Sequence, residues 1–516
     1  MGISRSLLAF SLAGLACFNA NLPAAFGGTK SVQETKAAPS HEGIVFDQYY
    51  LACLSQTSYL IGDLESKTAV VVDPVRDIDM YLNDAKKYGL KITHVICTHV
   101  HADFVAGHIE LEKATGAKIC FGSKAKAGFK FEPLKEGDKI ELGKLTLKVL
   151  ETPGHTPEAI SLLVYDTKSD ADKPYAVLTG DCLFIGDVGR PDLMASQGIT
   201  AAELAGLEYD SLHNKLLTLA DDTLVYPAHG AGSLCGKNLS SENVSTIGEQ
   251  RRSNYALKDM SKEQFVQMIT ANQPKVYKYF QLERDINLNT HKSLDEVVNA
   301  GMKPLKLEYV LTQQKSGAQI LDVREMDDFA ASHLKDSVNI ALSGHYAMWA
   351  GNFLDPKKAI LIIAPAGKEK EAVLRLGRIG FENVAGYLEG GIEACKDKPN
   401  FLESSTRETP EQLSKELASD KPPFVLDIRN DSERSDSYIE GSKQVPLIVL
   451  LDELDKLPKD KEIVVQCATG FRSSIAASLL RRHGFAQVSD LAGGITAWKQ
   501  AKLPLKGVES CQKASN

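Results

Sequence analysis

The chain reads as an α/β protein of several domains, and three observations carry that reading. Short β-branched runs that end at polar residues alternate with helical patterns between residues 44 and 240. A segment of about a hundred residues, a common domain size, then occurs twice in tandem. The full length of 516 residues is also more than a single hydrophobic core supports.

Hydrophobic residues make up 43% of the chain and charged residues 24%, the composition of an ordinary globular protein. A net charge of -8 with no block of Lys and Arg argues against a nucleic-acid partner and points to small molecules. At the N-terminus, Arg5 precedes an apolar run from Leu7 to Phe18, with small residues following through Pro23, Ala24 and Ala25. This predicts a secretory signal peptide over residues 1–26, too short to span a bilayer. The expected location is therefore periplasmic, with a lipid anchor on Cys17 or a cytoplasmic location as alternatives. The cysteines are scattered singly, and Cys97 and Cys120 sit in strand-like runs, so buried unpaired thiols are expected there.

Four runs are read as buried strands of the first domain, 44–250: Val70 to Val72, Ile92 to Ile96, Leu145 to Val149, and Ala176 to Gly180. Polar residues at such strand ends are where layered α/β folds place their chemistry. A polar helical stretch, 251–304, reads as a connector. Beyond it, Leu321-Asp322-Val323-Arg324 recurs as Leu426-Asp427-Ile428-Arg429, Gly380-Phe381 as Gly484-Phe485, and Gly390-Gly391-Ile392 as Gly493-Gly494-Ile495. The nearly constant separation defines two copies of one domain, 305–400 and 408–505.

The strongest local signal is Thr98-His99-Val100-His101-Ala102-Asp103, directly after an apolar strand. Taken alone it fits ordinary loop histidines. Thr152-Pro153-Gly154-His155, Gly180-Asp181 and Pro227-Ala228-His229-Gly230 add further nitrogen and oxygen ligands, each after an apolar run. This ordered set resembles the metallo-β-lactamase superfamily, which implies an αββα sandwich. Hydrolases of that superfamily hold two zinc ions, the second requiring a histidine after the aspartate of the first motif. Here that residue is Phe104. His99, His155 and Asp181 remain as two imidazoles and a carboxylate, the facial triad of non-haem Fe(II) oxygenases. His101, Asp103 and His229 are then expected around the ligands, orienting them or the substrate by hydrogen bonds.

Together with Gly186-Asp187-Val188-Gly189-Arg190 and His229 to Lys237, these motifs resemble persulfide dioxygenases fused to rhodanese domains. The resemblance implies one Fe(II) per chain on His99, His155 and Asp181, dioxygen and a thiol persulfide as substrates, and sulfite as product. It also implies that Arg190 meets an anionic thiol carrier, a role its fork of donors suits. Cys235 matches a cysteine near the metal in some fused enzymes, where it accepts sulfur or is simply a small buried thiol.

In the last copy a strand ending at Gln466 feeds Cys467-Ala468-Thr469-Gly470-Phe471-Arg472 and then a helix. A helix N-terminus favours thiolate, so this six-residue loop is a small anion cradle with Cys467 as nucleophile and Arg472 closing it. It resembles rhodanese sulfurtransferases. Subtracting the repeat offset from Cys467 gives Ile363, and no cysteine lies in that loop, so the first copy is expected to be structural or to serve in docking. The combined expectation is oxidation of a persulfide to sulfite, coupled to sulfur transfer that makes or consumes thiosulfate, in a homo-oligomer without a membrane span. The rivals are a thioester hydrolase of the hydroxyacylglutathione kind, with zinc, and a non-enzymatic sulfur carrier.

Overall fold

The computed structural model describes residues 33–35, 42–194, 198–273 and 275–507. The segment read as an export signal, with Cys17, lies outside the described residues.

The first domain consists of two sheets facing one another. The seven-stranded sheet adds its strands in chain order, from Gln33–Thr35 through Thr68–Val72 and Lys91–Ile96 to Glu132–Leu134. The six-stranded sheet runs from Lys139–Leu142 through Leu145–Glu151, Ile160–Asp166, Ala176–Gly180 and Leu224–Pro227 to Ser245–Thr246. The alternation of side chains along each strand explains the layering. Val70 and Val72 join Leu147, Val149, Leu162 and Leu178 in a core between the sheets. Their neighbours Ala69 and Val71 face outward, onto Tyr81 and Ala85 of the helix Asp79–Tyr88 and Ile109 of the helix His108–Thr115. Val177 and Val225 likewise meet Leu212 and Phe265 from two helices on the far side. The order helix, sheet, sheet, helix is the predicted αββα sandwich.

Each repeat forms a five-stranded parallel sheet, and the strand order is the same in both. The repeated Asp-x-Arg sequence has a structural role in both copies. Arg324 Nε and Nη2 donate to Asp322 at 3.0 and 2.6 Å, and Arg429 Nε and Nη2 donate to Asp427 at 3.0 and 2.7 Å. Each buried arginine also donates to a backbone carbonyl, of Ser332 or Ser437, which ties down the following helix.

The register corrects one expectation. Asp322 pairs with Ile363 as Asp427 pairs with Gln466, so the counterpart of Cys467 is Ala364 and not Ile363. Gly391 approaches the Ala364 carbonyl just as Gly494 approaches that of Cys467, which gives the same alignment. The repeat spacing falls from 105 at Asp322 and Asp427 to 103 at Ile363 and Gln466, so a single averaged offset misses by one. The conclusion that the first copy lacks a thiol at this point is unchanged.

The domains are joined by specific contacts. Arg378 of the first copy forks onto Asp77 at 2.7 and 2.8 Å, its carbonyl accepts from Val105 N–H at 3.0 Å, and Arg76 donates to the Gly377 carbonyl at 2.7 Å. On its other side, Asn339 accepts from Ser474 at 2.7 Å, and Gly344 comes so near the ring of Phe471 that a Cβ there would lie 2.5 Å from it. The seven cysteines among the described residues are all free, Cys97 and Cys120 being buried. No helix among the described residues is long and apolar enough to cross a membrane.

Candidate metal centre and sulfur-transfer loop

Strand ends bring the chemistry together. Lys91–Ile96 delivers His99, His101 and Asp103; Leu145–Glu151 delivers His155; Ala176–Gly180 delivers Asp181; and Leu224–Pro227 delivers His229. All six side chains are buried. The Nε2 atoms of His99, His155 and His229 lie 3.7, 3.4 and 3.5 Å from one oxygen of Asp181. None of these separations is a good hydrogen bond. Both Asp181 oxygens and the Nε2 atoms of His99 and His229 have no hydrogen-bond partner despite complete burial. Buried polar atoms left in this way are costly, and a cation among them satisfies all of them at once. The donor set therefore fits a metal ion.

The ligand atoms of His99, His155 and Asp181 form one compact group, those of His101, Asp103 and His229 a second, and those of Asp181, His229 and Cys235 a third. His229 thus stands as close to Asp181 as the two histidines predicted to bind the metal. Burial, then the neighbouring His101, His155 and His229, holds His99 well below the usual imidazole range, so it is neutral and able to ligate. Burial acts against protonation of His229 as well, but the Asp181 and Asp103 carboxylates outweigh it and raise its pKa.

Each imidazole is aimed by a bond at its other nitrogen. His155 Nδ1 is 2.9 Å from the Arg190 carbonyl, His229 Nδ1 is 3.2 Å from the Ser55 carbonyl, and His99 Nδ1 is 3.0 Å from Thr98 Oγ1. Phe104 is fully buried, and its ring packs against His101 at 4.5 Å between centroids.

Three positioning residues escaped the sequence reading. Asp73, held at a positive φ of 50°, accepts from Thr98 N–H, Thr98 Oγ1 and His101 Nε2 at 2.7, 2.9 and 3.0 Å. The available signal was its place at the end of a strand. Asn287, in the helix Phe280–Asn287, donates to the carbonyls of His101 and Phe104 at 2.9 and 2.8 Å and accepts from Ala106 N–H at 2.8 Å. Glu158 accepts from Val100 N–H at 3.0 Å. Arg190 is buried, with its Nε and Nη2 forked onto Asp192 at 2.7 Å each and Nη1 directed to the Leu234 carbonyl at 3.3 Å. Cys235 is buried beside Asp181 and His229, where burial, then Asp103 and Asp181, pushes its thiol well above the usual range.

In the second repeat Cys467 follows the strand Ile463–Gln466 and precedes the helix Phe471–Arg482. Gly470 N–H points at its Sγ from 3.2 Å, and Ser473 Oγ is 3.7 Å away. Gly470 has φ +94° at the helix start, which turns that N–H inward. A Cβ on Gly494 would lie 2.4 Å from the Cys467 carbonyl, so the glycine pair lets the next helix press on the loop. Arg472 forks onto Glu433 at 2.8 and 2.5 Å, a partner that sequence reasoning missed.

The family pattern of the metallo-beta-lactamase superfamily matches residues 51–229, and that of the rhodanese-like domain matches 307–398 and 409–501. The mouse and human mitochondrial persulfide dioxygenases ETHE1 are each 32% identical over 222 residues, 42% of this chain and 78% of theirs. The chain belongs to the metallo-beta-lactamase superfamily, among the relatives of persulfide dioxygenases. Two rhodanese-like domains follow that part. A hydroxyacylglutathione hydrolase, GloC of Haemophilus influenzae, is 27% identical over 233 residues, 41% of this chain and 97% of its own. The solved metallo-beta-lactamase of Staphylococcus aureus superposes with a TM-score of 0.60 at 29% identity, covering 67% of this chain and 99% of its own.

Proposed function

We propose that this chain oxidises a thiol persulfide to sulfite with dioxygen at an iron held by His99, His155 and Asp181, and transfers sulfane sulfur at Cys467. The observation that carries the first half is the set of buried, unpartnered atoms around Asp181, combined with Phe104 where a second metal would need a histidine. The persulfide dioxygenase relatives support the same chemistry. Iron held by His99, His155 and Asp181 would supply the activation of dioxygen.

The protein's own groups do the rest. The Arg190 carbonyl and Ser55 carbonyl hold His155 and His229 toward Asp181, and Asn287 fixes the loop from His101 to Ala106. Phe104 puts a buried phenyl ring, which cannot ligate, at the position where a second metal would need a histidine. In the rhodanese loop, the Cys467 thiolate takes the outer sulfur of a persulfide, the S–S bond breaks, and the carrier leaves as its thiolate. Gly470 N–H steadies negative charge on sulfur at that point. Sulfite then removes that outer sulfur as thiosulfate and restores the Cys467 thiolate. Export of the chain is proposed on the Arg5 and Leu7 to Phe18 pattern.

The second reading is a zinc thioester hydrolase, favoured by the His101, Asp103 and His229 group and by the match to GloC. Metal analysis of the purified protein, paired with oxygen uptake on glutathione persulfide, separates the two. One iron per chain with oxygen uptake supports the proposal; two zinc ions with thioesterase activity and no oxygen uptake overturn it. Phe104→His is expected to raise zinc content without raising oxygen uptake.

A further inference from the structure

Beside the Cys467 sulfur lies a buried hydroxyl with more acceptors than it can serve. Ser473 Oγ is 3.7 Å from Cys467 Sγ, 3.0 Å from the Gly470 carbonyl and 3.1 Å from Asp490 Oδ2. A serine has one proton to give, so it donates to one of these at a time. While Cys467 keeps its proton, the S–H donates to Ser473 Oγ and the hydroxyl turns to the carbonyl or the carboxylate. A thiolate has no proton to donate and is itself an acceptor, so the hydroxyl is then free to turn to sulfur.

Whether it can turn depends on Asp490. A buried carboxylate with no other donor would hold the hydroxyl proton in a charge-assisted bond. Asp490 is buried, but Arg407 donates to it from Nε at 3.2 and 3.3 Å and from Nη2 at 3.2 Å. With its charge answered by the guanidinium, the carboxylate competes less strongly for the Ser473 proton. Arg407 is held in place in turn: Nη1 donates to Asp327 of the first repeat, and a Cβ on Gly470 would lie 2.7 Å from Nη2. Arg481, which also faces Glu403, is the other cation near Asp490, and Arg472 on the Cys467 loop is paired with Glu433.

The first repeat shows that this arrangement does not serve the fold. Asp490 pairs with Arg407 on one side and with Val465, two residues before Cys467, on the other. The matching position of the first repeat is Tyr387, which pairs with Pro304 and with Ile362, two residues before Ala364. The segment from Ala364 to Glu371 contains no hydroxyl side chain. The Asp–Arg pair that ties down the following helix is present in both repeats, whereas Arg407, Asp490 and Ser473 accompany only the copy that has a thiol.

Resting on the sulfur transfer proposed above, we propose that Ser473 is a catalytic hydroxyl that hydrogen-bonds the Cys467 thiolate, and that Arg407 is a positioning residue that frees this hydroxyl by neutralising Asp490. The step it assists is the release of sulfur. The sulfite sulfur attacks the outer sulfur of the Cys467 persulfide, a new S–S bond forms, and the bond to Cys467 Sγ breaks with its electron pair left on Sγ. Ser473 donates a hydrogen bond to that thiolate and keeps its proton. No oxidant or reductant is consumed.

The test uses the full-length, iron-loaded protein with Cys467 loaded as the persulfide, and measures thiosulfate release on adding sulfite, with Cys467→Ser protein as the blank. The pH midpoint for alkylation of Cys467, read on its own peptide by mass spectrometry, is measured alongside. Ser473→Ala changes no charge, so a slower release by about tenfold and a midpoint higher by about one pH unit report the lost hydrogen bond to a charged sulfur. Ser473→Thr keeps the hydroxyl and is expected to recover most of both. Wild-type rate and midpoint in Ser473→Ala, with only the melting temperature moved, overturn the role of Ser473. Arg407→Gln is expected to slow release, and to do so less in a Ser473→Ala background because the two act through one group. Adding Asp490→Asn to Arg407→Gln removes the unanswered carboxylate and is expected to restore most of the rate. Equal effects of Arg407→Gln in both backgrounds, or no recovery in the Arg407→Gln, Asp490→Asn protein, overturn the positioning role. Wild-type protein that yields no thiosulfate from the loaded persulfide overturns the transfer reading itself, a result distinct from wild-type activity that Ser473→Ala leaves unchanged.

Discussion

After the strand Ile463–Gln466 the chain places Cys467, with Gly470 N–H 3.2 Å from its sulfur. At the same point after Ile360–Ile363 it places Ala364, followed by Pro365-Ala366-Gly367. The two domains around these points share a strand order and a buried Asp–Arg pair. The contrast teaches that the fold is held by the sheet and by that ion pair, whereas the chemistry hangs on one loop that can change without disturbing either. What the first repeat keeps instead is contact. Arg378 and Gly377 fasten it to the metal domain beside Val105, and Asn339 and Gly344 fasten it to the helix that starts at the Cys467 loop. It stands between the metal domain and the second repeat, in contact with both.

The largest effect expected from this comparison is at the nucleophile. Cys467→Ser is expected to reduce thiosulfate sulfurtransferase activity to background, because a hydroxyl is a poor nucleophile toward sulfane sulfur. Adding Ala364→Cys to that variant is not expected to restore it, since Pro365 has no N–H to offer and the helix Glu369–Arg378 starts later, with acidic residues in its first turn. Recovery of activity in the double variant would show that the first loop remains competent and would break the comparison.

His99→Ala, His155→Ala and Asp181→Ala are each expected to abolish persulfide-dependent oxygen uptake. Sulfur transfer at Cys467 should stay within about twofold of wild type, as for sites without shared partners. Full oxygen uptake in any of the three would remove that residue from the ligand set. Asn287→Ala loses three hydrogen bonds to the loop between His101 and Ala106 and is expected to weaken metal binding by about tenfold to a hundredfold. A competitive chelator titration measures this; unchanged affinity would mean that the loop holds its shape without the connector.

The smallest expected effect concerns how the first repeat is fastened. Arg378→Ala removes the forked pair with Asp77 and should cost about 1–3 kcal/mol, read as a lower melting temperature and easier proteolysis between the first two domains. The bare transferase activity of Cys467 should persist. An unchanged melting temperature would mean that the apolar cluster alone holds the domains.

Much of this was legible in the sequence. The strands ending at Val72, Ile96 and Gly180, the αββα layering and the repeat follow from side-chain alternation and from motifs at strand ends. The six side chains that cluster at the candidate metal centre also stood out, because imidazoles and carboxylates recur after apolar runs. Asn287 did not, since its role depends on how a connector folds back, and no local pattern encodes that. Glu433 and Asp73 were missed for a related reason: an ion pair with Arg472, or a carboxylate aimed at His101, is a long-range partnership between ordinary residues. The offset error at Ala364 came from treating the repeat as rigid when its spacing drifts.

The central claim is a single-iron oxygenase site, and titration of metal-free protein with Fe(II) tests it most directly. Oxygen uptake on glutathione persulfide is expected to rise with added iron, saturate at one equivalent per chain, and stay at background with Zn(II). Saturation at two equivalents, or equal activity with zinc, would contradict the assignment of His99, His155 and Asp181 to one iron.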